Sequence, residues 1–279
     1  MLERAIGVID SGVGGITVVL ELMRQLPHEQ LIYLGDTKRC PYGPRKETQV
    51  IQFTWEMVNF LLQKNIKALV VACNTATAFA LPQLQKKLPI PVVGVVQPGA
   101  RAAIKSTKNN QVGVIGTEGT IRSQAYVQAL KKINAQIDIQ SLACPEFVPM
   151  IEKGHIAGEK IENIVETSLK PLKTSIQMDT LILGCTHYPL IKRTIQKVMG
   201  HDVTLVSSSE ETARETSTIL DVHHLLYEGI RTPQHTFYTT GDLKQFENIL
   251  TTIFEQEYVE QIHRYDIHKI DLTKQSHHI

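Results

Sequence analysis

Cysteine, tryptophan and long apolar runs are scarce in this 279-residue chain, which has four cysteines and a single tryptophan. The longest apolar runs, such as residues 68–73, fall far short of the ~20 residues needed to span a bilayer. The N-terminus lacks a basic stretch followed by an apolar one, so we expect no secretory signal and a cytoplasmic location.

Neither sign of charge dominates, because 29 lysines and arginines balance 28 aspartates and glutamates. Proteins dedicated to nucleic-acid binding carry a strongly basic surface, so we expect neither a nucleic-acid nor a membrane partner. Hydrophobic residues make up 42% of the chain and charged residues 20%, which is typical of a globular protein with a sizeable core. The length suggests one or two domains.

The four cysteines are Cys40, Cys73, Cys144 and Cys185. They could form two disulfides in three connectivities, but a reducing compartment disfavours such bonds. No C-x-x-C pair occurs, which argues against a structural zinc site, and we expect no metal.

Two segments of the chain recur in the same order. Residues 6–12 (IGVIDSG) are echoed 106 positions later by residues 112–118 (VGVIGTE). Residues 69–75 (LVVACNT) are echoed 112 positions later by residues 181–187 (LILGCTH), with a cysteine at the same place. Chance similarity between apolar strands is the alternative, but the shared order and nearly equal offsets favour a duplicated unit.

Strand-like runs alternate with helical spacing along both units, which predicts mostly parallel sheets covered by helices. The predicted strands are 5–9, 30–34, 68–72, 92–96, 111–115, 136–140, 180–184 and 203–206. The predicted helices are 16–25, 48–63, 75–87, 123–132, 160–170, 189–199, 210–227 and 243–255, and an edge strand is expected at 235–240.

These elements predict an α/β fold of two pseudo-symmetric domains with the active site in the cleft between them. Residues 1–97 together with 208–279 would form the first domain, and residues 98–207 the second. Pro98-Gly99 and the serines at 207–209 are expected to act as hinges.

Ligands of open α/β sheets bind beyond the carboxyl ends of the strands, where this chain places its distinctive motifs. Asp10-Ser11-Gly12-Val13-Gly14-Gly15 follows the first strand, and its glycines suit either an anion site or a tight turn capped by Asp10. Asp36 follows the second strand, ahead of Cys40-Pro41-Tyr42-Gly43-Pro44. That segment is either a proline-stiffened loop or part of a pocket wall.

Cys73 and Cys185 follow equivalent strands of the two units, each at a predicted strand-to-helix junction that favours a thiolate. A lone buried cysteine is usually a small core residue, but two at equivalent positions indicate thiols that enter one cleft from opposite sides. One thiolate could take a proton from a tetrahedral carbon while the opposite thiol returns one to the other face. This inversion requires no cofactor, and no lysine for a PLP Schiff base lies in these motifs.

The motifs together resemble those of the cofactor-independent glutamate racemases of the aspartate/glutamate racemase superfamily. The resemblance runs from about residue 5 to about residue 240 and includes Gly184-Cys185-Thr186-His187-Tyr188-Pro189. It implies an isomerase that interconverts L- and D-glutamate and supplies D-glutamate for peptidoglycan, and thereby for cell-wall biogenesis and cell shape.

The resemblance also implies roles for individual residues. It implies that Cys73 acts on D-glutamate and that Cys185 acts on L-glutamate. Asp10 and His187 would assist the two thiols, and the carboxylates of Asp36 and Glu152 would have supporting roles. The residues implied to hold the amino acid are Asp10, Ser11, Tyr42, Gly43, Asn74, Thr75, Thr186 and His187.

No arginine clamp for the two substrate carboxylates stands out, since Arg39 reads equally well as a solvated loop charge. Backbone amides and hydroxyl or amide side chains can bind carboxylates instead. Aspartate racemase, a two-lobed amino-acid-binding module without chemistry, and a metal site built from Cys73, Cys185, His187 and Asp10 stay open as alternatives. No motif encodes an oligomeric state, and a homodimer is one assembly that fits.

Overall fold

The computed structural model describes residues 2–175, 177–256 and 265–274. The strands are β1 (Ile6–Asp10), β2 (Leu31–Gly35), β3 (Ala68–Val71), β4 (Val92–Gly94), β5 (Gln111–Gly116), β6 (Asp138–Ala143), β7 (Thr180–Gly184), β8 (Thr204–Ser207), β9 (His235–Thr239) and β10 (Tyr265–Lys269). The helices are α1 (Ile16–Gln25), α2 (Glu47–Leu62), α3 (Asn74–Lys87), α4 (Val96–Ser106), α5 (Glu118–Arg122), α6 (Ala125–Ile133), α7 (Phe147–Glu152), α8 (Glu159–Ser175), α9 (Lys192–Met199), α10 (Ser209–Val222) and α11 (Leu243–Gln256). Short 3-10 turns cover Tyr188–Ile191 and Leu272–Lys274.

The strands form two parallel sheets that share a four-strand arrangement, β2-β1-β3-β4 in the first and β6-β5-β7-β8 in the second. The first sheet has the order β10-β9-β2-β1-β3-β4 and the second has the order β6-β5-β7-β8. Strand β1 therefore matches β5, and β3 matches β7. These are the two pairs of strands that the sequence repeats predict to be equivalent, and the α/β class with parallel sheets is confirmed.

Both faces of the first sheet are covered, because neighbouring residues of its strands point to opposite sides. Val8 of β1 packs in a core with residues of α1, α10 and α11. Ile9, the next residue, packs in a second core with residues of α2 and α3. The strand is therefore buried at every position, and it has no charged side chain before Asp10 at its carboxyl end.

The second sheet is covered in the same way. Ile115 of β5 packs with residues of α7, α8 and α9 on one face, whereas Val114 packs with residues of α4 and α6 on the other. Two layers of helices thus hold the carboxyl ends of β5 and β7 in fixed positions. None of the helices in the described part of the chain is both long and apolar enough to cross a membrane.

Pro98-Gly99, predicted as a hinge, does not form a loop between the units, because both residues lie in the first turn of α4; a hinge there stays a prediction. A proline fits there, since the first amides of a helix have no intrahelical acceptor. The predicted strand 92–96 accordingly ends at Gly94. At the second predicted hinge, Ser207 closes β8 and Ser209 opens α10.

Strand β9 is not the edge strand that its sequence suggested, because β10 pairs with its outer side. Strand β10 is not predicted from the sequence, and its partly exposed side chains are typical of an edge strand. The predicted helix 123–132 corresponds to α6, whereas the short helix α5 ahead of it was not predicted. The predicted helix 189–199 begins as a 3-10 turn ahead of α9. His277-His278-Ile279 lies outside the described residues.

Candidate active site

The carboxyl ends of β1, β3, β5 and β7 bring the sequence motifs together, and polar contacts join the two sheets there. Thr186, after β7, donates a hydrogen bond of 3.0 Å from its hydroxyl to the Asp10 carboxylate at the end of β1. Tyr126 of α6 donates one of 2.7 Å to the side-chain oxygen of Asn74 in α3. The motifs therefore line one site built from both repeats.

Cys73 forms the N-terminal cap of α3. Its Sγ accepts the backbone N–H of Ala76 at 3.5 Å and donates to the hydroxyl of Ser11 at 3.5 Å. Burial raises the pKa of Cys73 to about 12, and the neighbouring Asp10 charge adds to the increase. The hydrogen bonds with Ser11 and Ala76 oppose this increase in the pKa, so the helix terminus and the serine favour a thiolate that burial disfavours.

Cys185 is equally buried but has a different local environment. The segment after it is the 3-10 turn Tyr188–Ile191 rather than a long α-helix. A helix dipole was expected to favour a thiolate at both cysteines, but only Cys73 lies at the N-terminus of a long helix. The Sγ of Cys185 lies 3.7 Å from Nδ1 of His187. The two thiols thus differ in their means of charge stabilisation, a helix terminus for Cys73 and an imidazole for Cys185.

Glu152 orients the His187 imidazole. Its Oε1 lies 2.5 Å from Nε2 of His187 and also accepts the backbone N–H of Val13 at 2.9 Å. Burial lowers the pKa of His187, but contacts with Cys185, Cys40 and Glu152 outweigh it and leave that pKa well above the usual value. Burial raises the pKa of Glu152, yet the His187 contact brings it below the usual range. The row Cys185–His187–Glu152 is suited to moving a proton at Cys185.

Asp10 is fully buried between the two thiol environments. One carboxylate oxygen accepts the Gly12 N–H at 2.9 Å, and the other accepts the Thr186 hydroxyl. Burial raises the pKa of Asp10, although the nearby His187 charge opposes this effect. Asp10 therefore affects both His187 and Cys73, rather than Cys73 alone.

Asp36 lies in the wall of the site and its hydrogen bonds are made to its own unit. It accepts bonds from Tyr42 at 2.5 Å, from Thr240 at 2.8 Å and from Arg39 Nε at 2.6 Å. These contacts fix the loop that carries Tyr42. Arg39 also pairs with Glu56 and lies 4.0 Å from the centre of the Phe53 ring, so the reading of it as a solvated loop charge is wrong.

Asn74 and Thr75 open α3 with buried polar groups. The Asn74 side-chain oxygen is occupied by Tyr126, but its Nδ2 is buried and has no hydrogen-bond partner among the described residues. The Thr75 hydroxyl lies 2.8 Å from that of Thr117 and 3.1 Å from that of Thr120. A buried donor without a partner is costly, which marks Nδ2 of Asn74 as a contact for a bound polar molecule.

Two glycines are required by close approach, Gly14 in the first motif and Gly43 in the loop after β2. A Cβ at Gly14 would lie 2.5 Å from Nδ1 of His187 and 2.7 Å from the His187 backbone nitrogen. At Gly43 it would lie 2.6 Å from the Cβ of Thr117. The repeats therefore contact each other through main chain, and side chains at these positions would separate them.

Comparison with known proteins places this geometry in a family. A profile described as Asp/Glu/Hydantoin racemase matches residues 6–216. The glutamate racemase of Oceanobacillus iheyensis is 65% identical over 261 residues, which cover 94% of this chain and 95% of that protein. The chain belongs to the Asp/Glu/Hydantoin racemase family.

Solved structures of glutamate racemases are similar over nearly the whole chain. The isoform RacE1 from Bacillus anthracis superposes with a TM-score of 0.90 at 47% identity, covering 98% of this chain and 99% of that one. The Francisella tularensis enzyme in complex with D-glutamate has a TM-score of 0.87 at 33% identity, covering 99% and 100%. This racemase-family chain therefore shares their complete fold.

Thr117, Thr120 and Tyr126 are neighbours of the site that sequence reasoning did not single out. Cys40 was named only as part of the segment after β2 that was predicted as either a loop or a pocket wall. The first repeat contained the information for Thr117, because an offset of 106 aligns it with Ser11. The second repeat aligns Asn74 with Thr186. No spacing pointed to Tyr126 or Cys40, which reach the site only through the packing of α6 and of the loop after β2.

Proposed function

We propose that this chain interconverts L- and D-glutamate by two-thiol proton transfer at the α carbon, without a cofactor. The observation that carries the proposal is the placement of Cys73 and Cys185 after equivalent strands β3 and β7, each with its own polar partner. The glutamate racemase named among the relatives at 65% identity and the D-glutamate held by the Francisella structure support glutamate as the substrate.

In the D-to-L direction, the Cys73 thiolate takes the α proton and the Cys185 thiol gives a proton to the opposite face. The products are a Cys73 thiol, a Cys185 thiolate and the inverted amino acid, so protons and charges balance. In the L-to-D direction the two thiols exchange roles. His187 stands 3.7 Å from Cys185 and can compensate the charge that changes there.

Burial makes the Cys73 thiol a poor acid in the absence of other groups, and the site offsets this cost locally. For Cys73 the Ala76 amide and the Ser11 hydroxyl stabilise the thiolate, as their effect on its pKa indicates. A substrate ammonium group beside the sulfur would stabilise the thiolate further, since opposite charges a few ångström apart lower a thiol pKa. The reactive ionisation state is therefore favoured when substrate is bound.

The substrate carboxylates would be held by neutral donors. The unpartnered Nδ2 of Asn74 is available, and the hydroxyls of Ser11, Thr75 and Thr186 line the same region. Charge-assisted hydrogen bonds to carboxylates are roughly twice as strong as neutral ones. Such donors bind the substrate without placing a fixed cation beside the thiols.

We further propose that residues 1–97 and 208–279 act as one domain and residues 98–207 as the other, with the substrate between them. The membership of the two sheets supports this division, because β9 and β10 return to the first sheet. A supply of D-glutamate for peptidoglycan, a cytoplasmic location and a homodimer remain predictions. Complementation of a strain that requires D-glutamate tests the supply of D-glutamate. Cell fractionation tests the location, and analytical sedimentation tests the homodimer.

The deciding experiment is a circular-dichroism assay of the purified chain with L-glutamate and D-glutamate after dialysis against a chelator, without added PLP. We expect racemisation of both enantiomers and none of L-aspartate. Cys73→Ser and Cys185→Ser should each lower kcat by about 10²–10⁴-fold, the usual contribution of a general acid or base. Activity that returns only with PLP, or that survives both substitutions, would refute the two-thiol scheme.

A further inference from the structure

Cys40, Glu152 and His187 bring three different metal-ligating groups together beside Cys185. The Cys40 thiol donates to Oε1 of Glu152 at 3.6 Å, and Nε2 of His187 lies 2.5 Å from the same oxygen. One ligand atom from each residue lies within 4.8 Å of the other two. Cys40 has no part in the proposed proton transfer, so this sulfur is a separate feature of the molecule.

We propose that Cys40, Glu152 and His187 form an inhibitory site for a zinc-class divalent cation. Thiolate, imidazole and carboxylate are the ligands that Zn²⁺ prefers, and three protein ligands leave a fourth position for water. This set differs from the earlier alternative of Cys73, Cys185, His187 and Asp10. It shares only His187 with that set and includes neither thiol of the proposed reaction.

The spacing of the ligand atoms fits a tetrahedral ion after a small adjustment. With metal–ligand bonds of about 2.0–2.3 Å, neighbouring ligand atoms of a tetrahedral zinc site lie about 3.3–3.6 Å apart. The 3.6 Å between the Cys40 sulfur and the Glu152 oxygen already matches. The contact between Glu152 and His187 has to open by about 1 Å, which side-chain rotation alone can supply.

Three separate elements hold the ligands, and Gly12 leaves space for them. Cys40 lies in the loop after β2, Glu152 ends α7, and His187 follows β7. A Cβ at Gly12 would lie 2.1 Å from Oε1 of Glu152 and 2.9 Å from the Cys40 sulfur. A cavity of about 280 Å³ borders Cys40 and Glu152 and gives an ion a route to them.

Binding would change the chemistry at Cys185 through His187. The ion replaces two protons, that of the Cys40 thiol and that on Nε2 of His187, and both leave to solvent. It then binds the Cys40 thiolate and the lone pair freed on Nε2. The imidazole is then held in one protonation state while its Nδ1 still faces Cys185. It can no longer follow the charge changes of that thiol, so racemisation slows. This inhibitory effect rests on the proposed function, whereas the binding does not.

The first test measures racemisation in chelator-buffered Zn²⁺ for the natural chain and for Cys40→Ala, Cys40→Ser and Cys144→Ala. Cys144 is a buried free cysteine outside the cluster and serves as the matched control. We expect the Zn²⁺ concentration for half-inhibition to rise at least tenfold in both Cys40 variants, since even indirect partners of a metal contribute about 10–100-fold to affinity. It should not change in Cys144→Ala.

The second test uses Co²⁺ as a spectroscopic substitute for Zn²⁺ and does not depend on activity. A thiolate-to-cobalt charge-transfer band should form in the natural chain and in Cys144→Ala, and be absent from Cys40→Ala. A band that persists without Cys40 would show that other thiols hold the metal and would overturn the site. A Cys40-dependent band without loss of racemisation would overturn the inhibitory role. A chain that binds Co²⁺ through Cys40 but never racemises glutamate would refute the proposed function instead.

Discussion

The Asp10 carboxylate accepts a hydrogen bond of 3.0 Å from the hydroxyl of Thr186, a residue of the other repeat. This contact ties the end of β1 to the loop that carries Cys185 and His187. Asp10 therefore lies between the two proposed thiols rather than beside only one of them. Its charge raises the pKa of Cys73, whereas His187 opposes the rise in the pKa of Asp10 itself.

We predict direction-dependent losses when the partners of the two thiols are neutralised. His187→Asn should lower kcat for L-to-D racemisation more than for D-to-L, by about 10²-fold or more, because Cys185 must be the deprotonating thiolate there. Asp10→Asn should lower kcat for D-to-L more. The ratio of the two kcat/KM values must stay at one, because enantiomers have equal free energy. Single-direction kcat values and solvent isotope effects are the measurements.

Equal losses in both directions for both variants would mean that these residues position the substrate. The Asp10–Thr186 contact makes this outcome informative, since Thr186→Val removes the hydroxyl and leaves the carboxylate charge. If Asp10 acts through its charge on Cys73, Thr186→Val should not reproduce the directional bias of Asp10→Asn.

We predict that Glu152→Gln destabilises the fold most at mildly acidic pH. The pKa of His187 is raised in the folded state, so its stabilisation is complete below its unfolded pKa of about 6.5 and is lost as pH rises through the folded value. The pKa of Glu152 is lowered, so its stabilisation is complete above about 4.3 and is lost as pH falls further. Both contributions are full between those values.

Urea unfolding of the natural chain and of Glu152→Gln at pH 5.5 and pH 9 measures this effect. Removing one partner of a buried pair costs about 3 kcal/mol in unfolding free energy, and we expect that loss at pH 5.5. The difference should be smaller at pH 9. A loss that does not change with pH would show that the carboxylate acts only by packing and by its bond to Val13.

We predict that Asn74→Asp raises KM for glutamate by about 10–100-fold, with little change in unfolding free energy. The new carboxylate keeps an acceptor for Tyr126 but replaces the buried Nδ2 donor. The lost bond is the one proposed between Nδ2 and a substrate carboxylate, and a hydrogen bond to a charged group contributes about 1.5–3 kcal/mol. Tyr126→Phe is the matched control, since it removes the other bond and leaves Nδ2 in place. An unchanged KM in Asn74→Asp would remove Asn74 from the substrate contacts.

We predict that Gly14→Ala abolishes most activity at a stability cost of about 1–3 kcal/mol, the usual cost of overpacking. Its Cβ would lie 2.5 Å from Nδ1 of His187 and 2.7 Å from main chain, so the loop with Cys185 must move. Gly116→Ala is the matched control, because its Cβ approaches no atom closer than 3.2 Å. Steady-state kinetics and thermal unfolding of both variants separate displacement of His187 from general destabilisation.

The sequence by itself determined the fold class and most of the site. Buried parallel strands are mostly apolar, so β1, β3, β5 and β7 could be predicted from their β-branched runs. The candidate site residues come directly after these strands in the sequence. Because the repeats keep the same order at nearly equal offsets, Cys73 and Cys185 could be identified as equivalent positions from the sequence alone. The resemblance of the motifs to glutamate racemases then supplied residue roles that composition and spacing cannot give.

Only the tertiary structure decided which side chains meet across the repeats. Asp10 bonds to Thr186 and Tyr126 to Asn74 because two sheets pack with their carboxyl ends together, and no local pattern encodes that packing. Pro98-Gly99 was predicted as a hinge because proline and glycine are common in loops, yet both residues lie in the first turn of α4. Cys40 joins Glu152 and His187 for the same reason, since three distant segments converge through long-range contacts that sequence spacing does not record.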